Sequence, residues 1–494
     1  MPGLVWKTIN GKKHLVMRWK KRVNGKLKII KEIYIGNMEN LADMLENPMK
    51  NVDVKSFGFG ISAMSLMVDE YIGLRKIIDE VVGHKGKGMS PGDYTLLFAM
   101  NRLSDPRSKN GIGEWMVGDF ASTIFPIVTS QEYWNMMDRF NDEQMKEIKT
   151  RIRDKLISLG YDHSHLFIDG SNFYTFMEEN DMAKKGHNKA HRYDLNQISY
   201  YIEANEDYIP FFFDSYPGNE PDVNTFPMII ENIPKESTII FDRGYNSEKN
   251  IGLLNGMEYI GALIESDHKD LMYMDIKKDS FIETTKIVYG KEHRIIVYYS
   301  SKLERKQIRS FMKMFKKAYT RVKKIINSGN SDSISKAQYC LESVHLQETI
   351  LLPNLKINIK HMEERFRMFG KGAIFTNIYD MKPENVLELY RKRNRIEHCF
   401  RTISINGLAK PEYHWTPQKI KVNMFFSYIS YLFLAIMRMK IMPVKEMYLT
   451  AVKKTLETIS IIYMVRGKTI EKRLFSGDET AKEVIEKLDL IKMA

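Results

Sequence analysis

Four textures of apolar and polar positions follow one another along the chain. Residues 4–35 alternate apolar and basic side chains around Asn10-Gly11 and Asn24-Gly25. Such dipeptides favour the positive-φ positions of tight hairpin turns, so the segment reads as a small basic β-meander. From about 38 to 160 apolar residues recur every three or four positions, most clearly over 61–82 and 91–103, with Ser90-Pro91 as a cap and first helical position. A third texture begins near 164. Short apolar runs at 165–169, 198–202, 208–213, 237–242 and 259–264 alternate with a turn at 218–222 and helical stretches at 225–233 and 247–255. Strands alternating with helices predict an α/β layer. Segment 265–370 breaks that rhythm with an alternating strand at 294–299, a long basic helix and further mixed structure. It reads as an insertion, with 327–336 as its linker. The sheet resumes at 373–376, a helix opens at Lys382-Pro383-Glu384 and runs to about Ser404, and the nearly apolar run 424–437 predicts a core helix.

Composition narrows the picture. A chain of 494 residues exceeds one ordinary domain, and a 43% hydrophobic content supports sizeable cores rather than disorder. No apolar leader opens the sequence, and the run at 424–437 falls short of the roughly 20 residues that span a bilayer. Cys340 and Cys399 alone make neither a disulfide framework nor a Cys-based zinc site. A soluble protein of a reducing compartment is expected, without a membrane role.

The formal charge of +13 is unevenly spread. Residues 1–35 carry a net +9, including Lys20, Lys21 and Arg22, against the single acid Glu32; residues 302–324 carry another +9 against Glu304. The remainder is net −5. Two basic clusters on a near-neutral body suit a polyanion, because each neutralised phosphate releases counterions. A solvated face is the alternative for either cluster alone. Trp6 and Trp19, interleaved with the N-terminal bases, favour binding.

Three carboxylates stand out. Asp169 and Asp242 each follow an aliphatic strand in one α/β layer, and adjacent strands would bring them to one edge of the sheet. On the helix near 384, Tyr390, Arg393, Glu397, Arg401 and Ser404 recur at three- and four-residue spacing and share a face. Taken singly, an Asp after a strand is more often a turn residue or cap, and Arg393 with Glu397 an ordinary i,i+4 ion pair. Together, three carboxylates without a matched positive partner repel, and hard oxygen ligands suit Mg²⁺ or Mn²⁺. Two such ions about 3.5–4 Å apart can activate a nucleophile and stabilise a phosphodiester's leaving oxygen. The spacing of His187 and His191 lacks the Glu of a zincin. No P-loop, G-x-G-x-x-G after a strand or G-x-S-x-G occurs, so no nucleotide cofactor is expected.

Three blocks stand in order: Phe167-Ile-Asp169-Gly-Ser171, Ile240-Phe-Asp242-Arg-Gly-Tyr-Asn-Ser247, and Tyr390-Arg-Lys-Arg393-Asn-Arg-Ile-Glu397-His-Cys-Phe-Arg401-Thr402. Residues 186–197 and 217–222 lie between the first two, and 410–417 after the third. Over about 95–440 the chain resembles the DDE transposases of bacterial and archaeal insertion sequences, in the group with a Tyr-x2-Arg-x3-Glu-x6-Lys pattern. The spacings of 73 residues from Asp169 to Asp242 and 155 from Asp242 to Glu397 fit an architecture with an insertion before the Glu helix. Ser404 stands where that pattern has its Lys, a departure open to three readings: the role has moved to Arg401 or Lys410, activity is weaker, or the copy has decayed.

The resemblance implies an α/β fold: an RNase H-like mixed sheet with flanking helices, interrupted by an insertion domain. The expected order is a basic β-meander at 1–36, a helical DNA-end-binding region at 37–160, and core segments at 161–265 and 371–440. An insertion with the basic helix fills 266–370, and a C-terminal helical region 441–494. It further implies that Asp169, Asp242 and Glu397 bind two Mg²⁺ (or Mn²⁺) ions, nick the element's ends and join the 3′-OH to target DNA. Tyr390 and Arg393 would hold DNA phosphate. The implied partners are the terminal inverted repeats, target DNA and a second copy in a synaptic homodimer, at the nucleoid in the cytoplasm. An RNase H-like nuclease without strand transfer and a catalytically impaired, domesticated DNA-binding protein are the alternatives. Glycoside hydrolysis would leave the basic clusters without a purpose.

Overall fold

The computed structural model describes residues 3–23, 25–46, 52–84, 86–106, 108–186, 192, 194–329, 332–405, 408, 414–466 and 469–494. Strands β1 (Gly3–Ile9), β2 (Lys12–Val23) and β3 (Lys26–Gly36) form an antiparallel sheet in that order. Asn10 and Gly11 both take positive φ (49° and 79°), which matches the turn to the twist of the strands it joins. Lys7 and Arg18 both pair with Glu32, the segment's one acid, at 3.0 and 2.5 Å. The remaining bases of the segment therefore have no acid within it. Helix α1 (Met38–Glu46) follows.

Strand β4 (Asp53–Gly58) leads into α2 (Gly60–Ile72) and α3 (Leu74–Val82). The periodicity over 61–82 thus belongs to two helices, divided at Gly73, whose φ of 71° is a left-handed cap open to glycine without cost. Helix α4 (Pro91–Ser104) opens on a full capping box between Ser90 and Asp93. Helices α5 (Ile112–Val117), α6 (Ser130–Met137) and α7 (Asp142–Ser158) complete this helical region.

The central sheet begins with the antiparallel strands β5 (His165–Thr175), β6 (Asn196–Ala204) and β7 (Pro210–Pro217). After α8 (Asp222–Ile230), strand β8 (Thr238–Phe241) lies parallel to β5; after α9 (Glu248–Leu253), β9 (Tyr259–Ala262) lies parallel to β8. Beyond α10 (Lys269–Met272), β10 (Ser280–Val288) and β11 (Lys291–Tyr299) form a hairpin. That hairpin belongs to the central sheet, which runs β10-β11-β14-β9-β8-β5-β6-β7 once β14 (Lys371–Thr376) joins it. The mixed α/β sheet with flanking helices is as expected. The insertion is shorter than 266–370, because β11 pairs with β14 from beyond it. Besides α10, the described elements of this segment outside the central sheet are α11 (Ser301–Asn327), α12 (Ser333–Glu342), β12 (Ile350–Leu351), β13 (Lys356–Ile357) and α13 (Ile359–Met368); these five stand together. They share a separate core around Phe311, Phe315, Val322, Leu341 and Leu346. The expected linker at 327–336 narrows to the few residues between α11 and α12.

Helices α14 (Pro383–Lys392) and α15 (Asn394–Ile405) replace the single helix expected from 384 to 404. Helix α16 (Pro417–Ile441) is long and apolar enough to cross a membrane by length and composition, but 94% of its most apolar window is buried inside the protein. A helix apolar all round needs cover on every side, and here protein supplies it. The C-terminal region is not purely helical. Between α17 (Leu449–Glu457) and α18 (Glu479–Lys487) lies a hairpin of β15 (Ser460–Arg466) and β16 (Thr469–Phe475), and β15 pairs with β4. The partner strand is remote in sequence, so the hairpin's role in a sheet is invisible locally.

Asp119 accepts hydrogen bonds from the Ser62 hydroxyl (2.5 Å) and the Ala121 N–H (2.9 Å), but burial outweighs them and pushes its carboxyl from 3.8 up to about 6. A raised carboxyl pKa contributes stability that is full below the unfolded value and lost as pH climbs through the folded one. Asp119→Asn is therefore expected to melt above the wild type at pH 7.5 and to lose that advantage by pH 4, as read by scanning calorimetry.

Candidate active site

The parallel ladder between β5 and β8 runs from His165 opposite Thr238 to Ile168 opposite Phe241, and Asp169 and Asp242 are the next residues on each side. Strand register alone therefore sets the two aspartates side by side. β5 does not end at Asp169, as the apolar run suggested; it continues to Thr175 along β6. Each carboxylate is anchored by one oxygen. Asp169 Oδ1 accepts the Gly170 N–H and Asp242 Oδ1 the Arg243 N–H, both at 2.8 Å. Oδ2 of each lies within reach of a single atom, Arg393 Nη1, at 3.4 Å for Asp169 and 3.5 Å for Asp242.

Arg393 stands at the break between α14 and α15, still in right-handed helical conformation. Both sides of the break are tied to the turn after β6: Lys392 pairs with Glu206 at 3.0 Å, and Arg395 Nη1 donates to the Glu206 carbonyl. Beyond the break, Ile396, Cys399, Phe400 and Ile403 form the buried face of α15. Phe400 meets Tyr200 of β6 edge-on at 5.5 Å. The opposite face carries Glu397, Arg401 and Ser404, all exposed. That much of the expected common face exists, while Tyr390 belongs to α14, its ring centroid 5.8 Å from the Arg393 guanidinium.

The electrostatics follow from this placement. Burial disfavours the Arg393 charge, but Asp242, Tyr390, Asp169 and Glu397 outweigh it and raise the guanidinium's pKa. Burial lifts the Tyr390 hydroxyl well above the ordinary tyrosine range, so it is a neutral donor at physiological pH. Arg393 is the matched positive partner that the sequence did not reveal for these carboxylates. Its ion pairs go to the two aspartates, not to Glu397. Among the described residues no group of three or more His, Cys, Asp and Glu side chains closes into a metal-binding cluster. The structure thus brings Asp169, Asp242 and Arg393 together and leaves Glu397 one helical turn away, facing outward.

Beside the aspartates, Arg243 pairs with Glu265 at 2.5 Å. Glu265 follows β9, the next parallel strand, and an acid after a short apolar strand is the same signal that marked Asp242. Lys20, Lys21 and Arg22 lie exposed on β2, in a different sheet. His187, His191 and Lys410 fall outside the described residues.

A family model described as a transposase DDE domain matches residues 160–431. Among solved structures, a piggyBac transposase synaptic complex with hairpin DNA is similar at 9% sequence identity and a TM-score of 0.42, covering 81% of this chain and 80% of that one. No curated protein matches the sequence.

Phe400 anchors α15 through its buried ring. Phe400→Ala is expected to cost about 3 kcal/mol of unfolding free energy, measured by chemical denaturation.

Proposed function

This chain belongs to the transposase DDE domain family, and from that premise we propose that it cuts and joins DNA with Asp169, Asp242 and Glu397 as its catalytic carboxylates. The observation that carries this reading is the β5–β8 register, which sets Asp169 and Asp242 side by side with both Oδ2 atoms near one cation, the Arg393 guanidinium. Paired carboxylate oxygens are hard donors and fit Mg²⁺ or Mn²⁺. Asp169 and Asp242 would hold the metal, with Glu397 as the third ligand from the outer face of α15. Bound cations of this kind supply activation of a water or 3′-hydroxyl and charge stabilisation on the phosphodiester oxygens.

The chain's own residues do the rest. Arg393 balances the charge of both aspartates when nothing else does, its Nη1 lying 3.4 Å and 3.5 Å from their Oδ2 atoms. A DNA phosphate offers its guanidinium a second anionic partner, and the neutral Tyr390 hydroxyl is a donor for the same phosphate. Arg401 and Ser404 extend that exposed face along α15. Duplex DNA, as element ends and target, is gripped by the exposed bases of β2 (Lys20, Lys21 and Arg22) and by the outer face of α11, where Lys313, Lys316, Lys317, Arg321 and Lys324 line one surface groove. A second copy of the chain pairs the two ends in one complex, acting in the cytoplasm at the nucleoid.

Asp169→Asn, Asp242→Asn and Glu397→Gln are each expected to lower Mg²⁺- or Mn²⁺-dependent nicking of an end-containing duplex by about a hundred-fold or more, with DNA affinity retained. Cleavage that survives in Asp242→Asn would sink the reading. A pre-nicked 3′-OH substrate should give joined product with the wild type; its absence would leave a nuclease without strand transfer. Replacing Lys20, Lys21 and Arg22 together by Ala should flatten the slope of log affinity against log salt by up to about three.

A further inference from the structure

Successive residues of a strand face opposite sides of a sheet, so Gly170 looks away from the face on which Asp169 meets Arg393. On that far side three oxygens converge. A Cβ at Gly170 would lie 2.9 Å from Asp222 Oδ1, 3.1 Å from the Tyr216 hydroxyl and 3.2 Å from the Tyr245 hydroxyl. Asp222 opens α8, where the helix dipole favours a negative charge, and its Oδ1 accepts the Tyr216 hydroxyl at 2.9 Å. Its other oxygen, Oδ2, would lie 3.5 Å from a Cβ at Gly244. Gly170 directly follows Asp169, and Gly244 stands two residues after Asp242. One side chain thus packs against the backbone of both aspartate-bearing segments.

The surroundings hold that side chain in place. Asn250 Nδ2 donates to the carbonyls of Val223 in α8 and of Tyr245 in the turn after Asp242, both at 2.8 Å, locking helix and turn together. The Tyr245 hydroxyl is buried against the same spot with no hydrogen-bond partner among the described atoms. Polar atoms are crowded here behind a pair of charged residues. Asp222 lies on the wrong side of the sheet to share a ligand with Asp169 and Asp242.

We propose that Asp222 is a positioning residue for the aspartate pair. Clamped by Tyr216, its carboxylate sets the spacing of the Gly170 and Gly244 backbones, and through them the Gly170 and Arg243 amides that anchor Oδ1 of Asp169 and Asp242. This rests on the reading of those two aspartates as cation ligands.

The test measures Mn²⁺ affinity of the full-length, DNA-free protein, together with kcat and KM for nicking and the melting temperature. Asp222→Ala is expected to bind Mn²⁺ about ten-fold more weakly and to lose a similar factor in kcat, with KM for DNA unchanged. Asp222→Asn keeps the shape and still accepts the Tyr216 hydroxyl, so it should restore most of both. Tyr216→Phe keeps the ring and removes the clamp. Should Asp222→Ala fail to fold, Tyr216→Phe is expected to show the same loss in smaller measure. Wild-type Mn²⁺ affinity and kcat in folded Asp222→Ala or Tyr216→Phe would overturn the proposal, even if the melting temperature fell. So would an Asp222→Asn as impaired as Asp222→Ala, since charge rather than position would then be at work. A wild type that binds no Mn²⁺ would overturn the cation reading itself, and this inference with it; loss in Asp169→Asn beside an unaffected Asp222→Ala would overturn this inference alone.

Discussion

Two carboxylates leaving neighbouring parallel strands side by side repel each other, and a fold that keeps them there has to supply positive charge. Here that charge is Arg393. At 3.4 Å and an effective dielectric of 20, each ion pair is worth roughly 5 kcal/mol of gross attraction, and burying the charges costs several kcal/mol per ion in return. The cluster is therefore close to break-even for stability, and its gain is geometric. It fixes where two carboxylate oxygens point, and it demands that one residue between two helices be delivered to the sheet edge.

That demand shapes much of the neighbourhood. The helix breaks at Arg393 because a guanidinium aimed at the strand ends and a Phe400 face laid on β6 are both satisfied by two short helices. Glu206 holds the break from both sides through Lys392 and Arg395. The outward face of α15, with Glu397 at its first turn, is a by-product of burying Ile396, Cys399, Phe400 and Ile403.

The basic clusters and the aspartate pair stand on separate elements. The central sheet and its helices share one continuous core, while α11 to α13 bury a core of their own and turn lysines and arginines outward. The N-terminal sheet pairs its single acid with two bases and leaves the others exposed. Both basic clusters stand on elements other than those that carry Asp169, Asp242 and Arg393.

Local pattern carried a good deal of this. The alternation around Asn10-Gly11 determined a hairpin, the Ser90-Pro91 cap a helix start, and the apolar runs before Asp169 and Asp242 two strands, because backbone turn preferences, caps and side-chain period act within a few residues. What lies across from a strand or at the end of a long side chain is set by residues far along the chain. Only the tertiary structure paired β11 with β14 and β15 with β4, broke the 384–404 helix at Arg393, and turned that arginine from Glu397 toward the aspartates. It alone placed Asp222 behind Gly170, since a carboxylate's role depends on which backbones it separates, and spacing along the sequence does not record that.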